Sequence, residues 1–470
     1  MTTYPLIPSP SPAGGEGGNE PRRQNTGRAG IQAQGPGRLL WLLVLLQGAW
    51  MGWLFAFPVA LDSDDALNFA HGVTRFSVLE FAPHFPGYPA FIWLARLLNL
   101  LTQNPASAVQ WASLLGSSLL PPLAAWLAVR LWRRPALLAP VWLVTMALPL
   151  TPTLALSGLS DGPALAAWLG ALLALQHRRL ALAGLLVGLL LALRPSYLVL
   201  ALLPLFQGWR QGGQAREQRL AFLSPIALVG LACLLFVWQA DGWAYFSEGR
   251  RFTDGHFTLW GNTAAAHGSR LLSWGQTLAA QLSPLWPLLL WPLWLGGRRL
   301  AACPTALWGA SWRWGWLALL LWTLFGQNPD NPRHLAPLIY LGLILLVGGL
   351  PAAKPVAVAA TLGGLALLCI TLTTPASPAS LPAMVQARQL AERHCPALVT
   401  QWGVRLLRES SPLPVTDGWY KGDAALALGR GACRLSRRPL AAHDLPGPYS
   451  AIWFAPRFRA EPGLWLAIPR

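Results

Sequence analysis

The sequence predicts an all-α polytopic membrane protein with about eleven transmembrane helices, an interfacial helix in the first external loop and a small external α+β C-terminal domain. Three observations carry that prediction: composition, apolar run length and the distribution of charge. The chain has 470 residues, 54% of them hydrophobic and 11% charged, with 26 Trp and a mean hydropathy of +0.42. A soluble domain carries about 25% charged residues, so a water-soluble enzyme is excluded. A net charge of +17 would suggest nucleic acid in a soluble protein. Here the basic residues cluster between apolar runs, so no nucleic-acid partner is expected.

Residues 1–38 are rich in Gly, Pro, Ser and Gln, hold Arg22, Arg23, Arg28 and Arg38, and read as a disordered cytoplasmic tail. The apolar runs that follow lie near 39–60, 106–130, 136–153, 162–176, 180–193, 196–209, 220–240, 279–297, 305–326, 335–351 and 355–374. A bilayer takes about 20 apolar residues in a helix. Several runs fall short, and the pair flanking Arg194-Pro195 reads as two spans or one broken element. With the tail inside, the tail and inner connections hold 16 of the 35 basic residues, and the outer connections before residue 375 hold seven. The other 12 lie in the long C-terminal segment, so the positive-inside rule is met. The expected site is therefore a plasma (inner) membrane, multi-pass, with residues 39–374 as the transmembrane domain.

Acids sort to the opposite side. Glu16, Glu20 and Glu217 fall inside, while Asp62, Asp64, Asp65, Glu80, Asp161, Asp241, Glu248, Asp254 and Asp330 fall outside. His71, His84, His256, His267 and His334 join them. Polar residues belong in loops in any case, but the inner loops are equally wet and nearly free of carboxylates. The outer face is where chemistry or binding is expected. Residues 375–470 are less hydrophobic, with strand-like alternation at 449–455 and 464–468 and a helical pattern at 381–392. Cys395 and Cys433 both fall there, where an oxidising compartment favours a disulfide between them.

The first external loop, residues 61–105, is the most informative stretch. It runs Leu61-Asp62-Ser63-Asp64-Asp65-Ala66-Leu67-Asn68-Phe69-Ala70-His71 and then reaches Pro83-His84-Phe85-Pro86-Gly87-Tyr88-Pro89. Three carboxylates so close together repel one another, and partial burial raises their pKa, which suits proton transfer. The same proximity suits oxygen coordination of a divalent metal. The plainer reading is an acidic loop whose Ser63 and Asp64 cap a helix. From Tyr88 to Leu98 the pattern is that of a short amphipathic helix lying at the membrane surface.

These residues carry a resemblance. Asp64-Asp65-Ala66-Leu67-Asn68-Phe69 resembles the acidic-pair-plus-aromatic motif in the first external loop of GT-C superfamily glycosyltransferases. His84-Phe85-Pro86-Gly87-Tyr88-Pro89 is similar to the His-Pro-Pro-Gly-Tyr-Pro segment of protein-mannosyltransferase-like and aminoarabinose-transferase-like members, with Phe85 in place of a proline. Leu159-Ser160-Asp161-Gly162-Pro163 resembles the acidic helix start of the second external loop. Asn331-Pro332-Arg333-His334 resembles the Arg-His/Tyr…Pro segment near the end of the membrane domain. The resemblance covers roughly residues 39–350.

What it implies is an integral-membrane glycosyltransferase that moves a hexosyl or pentosyl group from a polyprenyl-phosphate-linked sugar to an acceptor glycan, lipid or protein. Transfer is expected on the extracytoplasmic face, with inversion and without a nucleotide donor. The resemblance makes Asp64 the first choice for the base, with Asp65 or Asp62 beside it and Asp161 as a second carboxylate. The donor phosphate needs outer cations, for which Arg194, Arg333, His334 and His84 are the candidates. Each also has a structural role open to it: Arg194 as a membrane anchor, Arg333 as the neutralising partner of Asp330, His84 as a packed ring. Residues 241–270 add Arg250, Arg251 and His256 as candidates for substrate binding, among aromatics that suit sugar stacking or an interfacial belt. No cofactor is required by this reading, and a divalent metal is compatible with it. A polysaccharide ligase or polymerase, and a multi-spanning secondary transporter, are the alternatives. Against the transporter stands the near absence of ionisable residues at mid-span depth.

Overall fold

The computed structural model describes residues 36–213, 215–255, 270–282, 286–302, 306–329, 331–373, 380–440 and 445–470. Most of the expected tail, His256, His267 and Asp330 lie outside the described residues. The helical region opens with α1 (Pro36–Phe55), and the first loop contributes α2 (Asp64–Thr74) and α3 (Pro89–Thr102). It continues through α4 (Pro105–Ser118), α5 (Leu120–Trp132), α6 (Leu138–Ala147), α7 (Leu150–Leu156), α8 (Asp161–Gln176) and α9 (Leu180–Leu193). Then come α10 (Leu198–Gln211), α11 (Arg216–Asp241), α12 (Ala244–Gly255), α13 (Arg270–Gln281) and α14 (Leu290–Ala301). α15 (Ala306–Gly326), α16 (Ala336–Gly349) and α17 (Lys354–Thr373) complete it.

Helix falls on every apolar run that the sequence marks out. Among the described residues, five helical stretches are long and apolar enough to cross a bilayer, counting α4 and α5 as one. Two bent pairs, α6 with α7 (59°) and α13 with α14 (88°), bring the number to seven. Length and apolarity therefore do not confirm the expected eleven spans. The runs not counted are those of α8, α9, α10 and α15; α9 and α10, 14 residues each, are parted where Arg194 is held out of the α-region and Pro195 lacks the N–H that would continue a helix. The ambiguity at Arg194-Pro195 resolves the same way, with α9 ending at Leu193 and α10 starting after the 3-10 turn Pro195–Tyr197.

Outward faces of α1, α11 and α17 present Trp41, Leu45, Leu228 and Leu362 exposed, as helices bordering lipid do. Some buried polar groups are paired across helices. Gln47 of α1 donates to the Ser118 carbonyl at 3.0 Å and accepts from the Trp142 indole at 2.8 Å. Small residues let backbones meet: a Cβ on Gly184 would strike the Phe222 carbonyl of α11, and one on Gly162 would strike the Ser117 hydroxyl of α4. That second contact seats the first turn of α8, and with it Asp161, deep in the bundle. α3 is amphipathic, burying Phe91, Ile92 and Ala95 and leaving Trp93, Leu97 and Leu100 exposed.

The C-terminal unit is a mixed α/β layer of α18 (Ala383–His394), β1 (Leu398–Thr400), α19 (Val404–Ser410), β2 (Val415–Asp417), α20 (Lys421–Gly429), β3 (Cys433–Ser436), β4 (Tyr449–Phe454) and β5 (Leu464–Pro469). Strand order is β2-β1-β3-β5-β4. β1 pairs in parallel with β2 and β3, and β5 runs antiparallel to β3 and β4. The two strands and the helix marked by sequence pattern are present. β1 and β2, three residues each, are too short for alternation to register. Cys395, at the end of α18, is joined to Cys433 on β3 by a disulfide across 38 residues.

Replacing both of these cysteines by alanine should destabilise the C-terminal unit by about 2–4 kcal/mol. Denaturant melting of the full chain, followed through proteolysis within residues 380–470, checks this; an unchanged midpoint would show that the crosslink constrains nothing.

Candidate active site

α2 arises where the acidic run meets a cap. Ser63 accepts from the Ala66 N–H at 3.4 Å, and Asp64 and Asp65 occupy the first turn, where carboxylates favour the helix dipole. At its other end Arg96 of α3 donates to the Gly72 and Val73 carbonyls at 3.2 and 3.0 Å. Helical geometry then separates the neighbouring acids by about 100°. Asp64, Asn68 and His71 share one face, and Asp65 and Phe69 share the next. Asp62 precedes the helix. The three carboxylates therefore point three ways and do not converge on a common point.

Asp65 is the acid that meets two of the candidate cationic residues. Its Oδ2 accepts from Arg333 Nη2 at 2.8 Å, and its Oδ1 lies 3.9 Å from His84 Nδ1. His84 Nε2 is hydrogen-bonded to the Tyr88 hydroxyl at 3.2 Å, with its ring among Phe69, Tyr88 and Phe252. Burial works against ionisation of Asp65, but His84, Arg333 and Arg194 together hold its carboxyl well below the usual range. Burial pushes the Tyr88 phenol up to about 12, so it stays a neutral donor.

A second pair lies within electrostatic reach of the first. Asp161, at the first position of α8, has no exposed surface. Its Oδ2 is 3.0 Å from Arg194 Nη1, and its Oδ1 accepts from the Tyr197 hydroxyl at 3.0 Å. Arg194 also donates to the Ser160 hydroxyl at 3.3 Å and lies over the Tyr197 ring. The Nε–H groups of Arg194 and Arg333 are buried without a hydrogen-bond partner. His334 donates from Nδ1 to the Asn328 carbonyl at 3.2 Å, which braces the turn Pro332–Leu335 that carries Arg333. Asp65, Asp161, Arg194, Arg333, His334 and His84 thus gather at one place, contributed by four separate segments.

Two expected catalytic acids sit elsewhere. Asp64 accepts from the Leu406 N–H at 2.8 Å and so caps α19 rather than facing the cations. Burial pushes its carboxyl up, partly opposed by that N–H. Asp62 faces the C-terminal unit beside Arg437 and Glu461. Burial raises the Asp62 carboxyl against the pull of Arg457, Arg437 and Arg333. Nor are Arg250 and Arg251 brought in. Both are exposed on α12, paired with Asp254 at 3.9 Å and Glu248 at 2.7 Å in their own helix, while Phe252 on its other side packs against Phe85. His256 lies outside the described residues. Among the described residues no three His, Cys, Asp or Glu side chains are grouped to hold a metal ion. Sequence reasoning missed Tyr88 and Tyr197 as site groups; the signals present were a tyrosine set between glycine and proline in Gly87-Tyr88-Pro89 and another closing Arg194-Pro195-Ser196-Tyr197.

No protein-family model and no curated protein sequence matches the chain. It is similar to a solved structure, ArnT from Cupriavidus metallidurans bound to undecaprenyl phosphate, at 12% identity over 92% of this chain and 98% of that chain, with a TM-score of 0.49. The site described above stands on this chain's own residues.

Removing Arg194 strands a fully buried carboxylate, so Arg194→Ala should cost about 3–5 kcal/mol. The double change Arg194→Met with Asp161→Leu should recover most of it; thermal melting in detergent decides, and equal losses for both variants would contradict the pairing. Because the Asp65 pKa is lowered on folding, its contribution is complete above the unfolded carboxylate value of about 3.9 and is lost as pH falls below it. Asp65→Asn should therefore flatten the acid limb of the stability profile below about pH 4. An unaltered limb would separate Asp65 from Arg333.

Proposed function

We propose that this chain is a membrane transferase that takes a sugar from a polyprenyl-phosphate carrier and passes it to an acceptor glycan, lipid or protein. The observation that carries the reading is the meeting of Asp65–Arg333 with Asp161–Arg194 at the ends of apolar helices. A lipid-linked phosphate has the same two-part character. Its chain needs an apolar helical surface, and its headgroup needs guanidiniums close by with N–H groups to spare, which Arg194 and Arg333 supply through Nε.

Asp65, rather than Asp64, is the first-loop carboxylate that serves the chemistry. With Arg333 on it, Asp65 is a weak base. A phosphate that draws Arg333 away leaves the carboxylate uncompensated, and its affinity for a proton rises as the donor binds. The acceptor oxygen then attacks the anomeric carbon as the bond to the phosphate oxygen breaks. The proton goes to Asp65 and the electron pair leaves on polyprenyl phosphate, with inversion. Tyr88 and His84 are placed beside the same carboxylate to hold the leaving phosphate, and Asp161 fixes Arg194. The positive-inside pattern supports an extracytoplasmic site, with the N-terminus in the cytoplasm and the C-terminal unit outside.

The test is transfer of radiolabelled sugar from polyprenyl-phosphate donors by the purified chain in liposomes, with and without a chelator. Asp65→Asn should lower kcat by about 10²–10⁴-fold, and Asp64→Asn, which keeps an acceptor for the Leu406 N–H, should lose far less. Arg333→Gln should raise the donor KM most. If Asp64→Asn were dead and Asp65→Asn active, the two acids would have to exchange roles; no transfer from any such donor would overturn the function itself.

A further inference from the structure

The face of α2 that turns away from the cations is not idle. Asp64, Asn68 and His71 are all engaged by one short helix of the C-terminal unit, α19, more than 330 residues later in the chain. Leu406 donates its N–H to Asp64 Oδ1 at 2.8 Å. Arg405 Nη1 donates to Asn68 Oδ1 at 2.6 Å and to the Phe81 carbonyl at 3.0 Å, and its Nη2 lies 2.9 Å from His71 Nδ1. Glu409 closes the ring, accepting from Arg405 Nε at 3.0 Å and meeting His71 Nε2 at 2.9 Å. One guanidinium fork therefore spans α2 and the first loop, and its planar geometry fixes angle as well as distance.

We propose that Arg405 is a positioning residue for the transfer reaction: through Asn68, His71 and the Phe81 carbonyl it sets the roll of α2 that aims Asp65 at Arg333 and His84. The proposal rests on the reading of Asp65 given above for its catalytic consequence, but not for its structural one. An 11-residue helix has little stability of its own, and its orientation is set by what grips it. Asp64 and Asp65 sit about 100° apart on the helix circumference, so a modest roll trades one for the other at the cations. Arg194 and Arg333, which come from other elements, would stay in place.

The experiment uses the full chain in liposomes and two variants, Arg405→Ala and Asn68→Ala, the second leaving α19 whole. Amide exchange across residues 64–74, read by mass spectrometry, should speed up by about tenfold or more in both while the spans are unchanged. In transfer assays kcat should fall by about tenfold to a hundredfold, with the donor KM within about twofold because Arg194 and Arg333 stay in place. In an Asp65→Asn background, Arg405→Ala should add no further loss, since it acts through that carboxylate. A merely structural Arg405 would multiply the loss in that background, and this overturns the proposal. So does unchanged exchange in α2, or faster exchange with kcat unaltered. Should the unsubstituted chain transfer no sugar, the proposed function fails separately, and unchanged exchange would still overturn the clasp.

Discussion

Asp161 carries a carboxylate with no exposed surface, and in apolar surroundings such a group must be met by a cation and hydrogen bonds or give up its charge. Arg194 and Tyr197 meet it, and that demand explains the local backbone. α9 stops at Leu193 so that Arg194 can leave the helix and turn inward, and the Pro195–Tyr197 turn delivers the tyrosine to the same carboxylate. Gly162 and Ser117 are small enough for the first turn of α8 to settle beside α4. The Asp65–Arg333 pair repeats the arrangement with a partner from the far end of the helical region. The site is a product of charge pairing under burial, and the helices around it are broken where that pairing requires.

The C-terminal unit completes this arrangement instead of resting beside it. Arg405 grips α2 from one side. Arg437 donates to Asn331 at 3.1 Å, two residues before Arg333, and so braces the other half of the pair. Behind them Arg457 and Glu461 form a buried bidentate pair, with Asp62 within electrostatic reach. Acids that the sequence groups together are thus divided between two tasks. Asp65 faces the cations, while Asp64 ties the first loop to α19 and Asp62 lies beside Arg437 and Glu461 of the C-terminal unit.

Much of this was legible in the sequence for a simple reason: apolar run length and strand alternation are local, one-dimensional properties. Among the described residues helix falls on every apolar run, and the strands at the C-terminal end fall where alternation marks them. Asp65, Asp161, Arg194, Arg333, His84 and His334 were all singled out as candidates and are brought together. The choice between Asp64 and Asp65 was not legible, because adjacent residues differ only in the direction they leave a helix. Arg250 and Arg251 are not gathered with them, being exposed on α12 and paired within that helix.

By itself the sequence determined a helical chain whose apolar runs set where helices of membrane-spanning character fall, since the cost of placing charge in lipid keeps such runs nearly free of charge whatever the packing. Tertiary structure alone decided which carboxylate meets which guanidinium. Arg333 reaches Asp65 across 268 positions, and in the same way Arg405 reaches the Asn68 amide across 337. No spacing rule spans such distances, because those pairings are set by how the helices pack on one another and on the C-terminal unit.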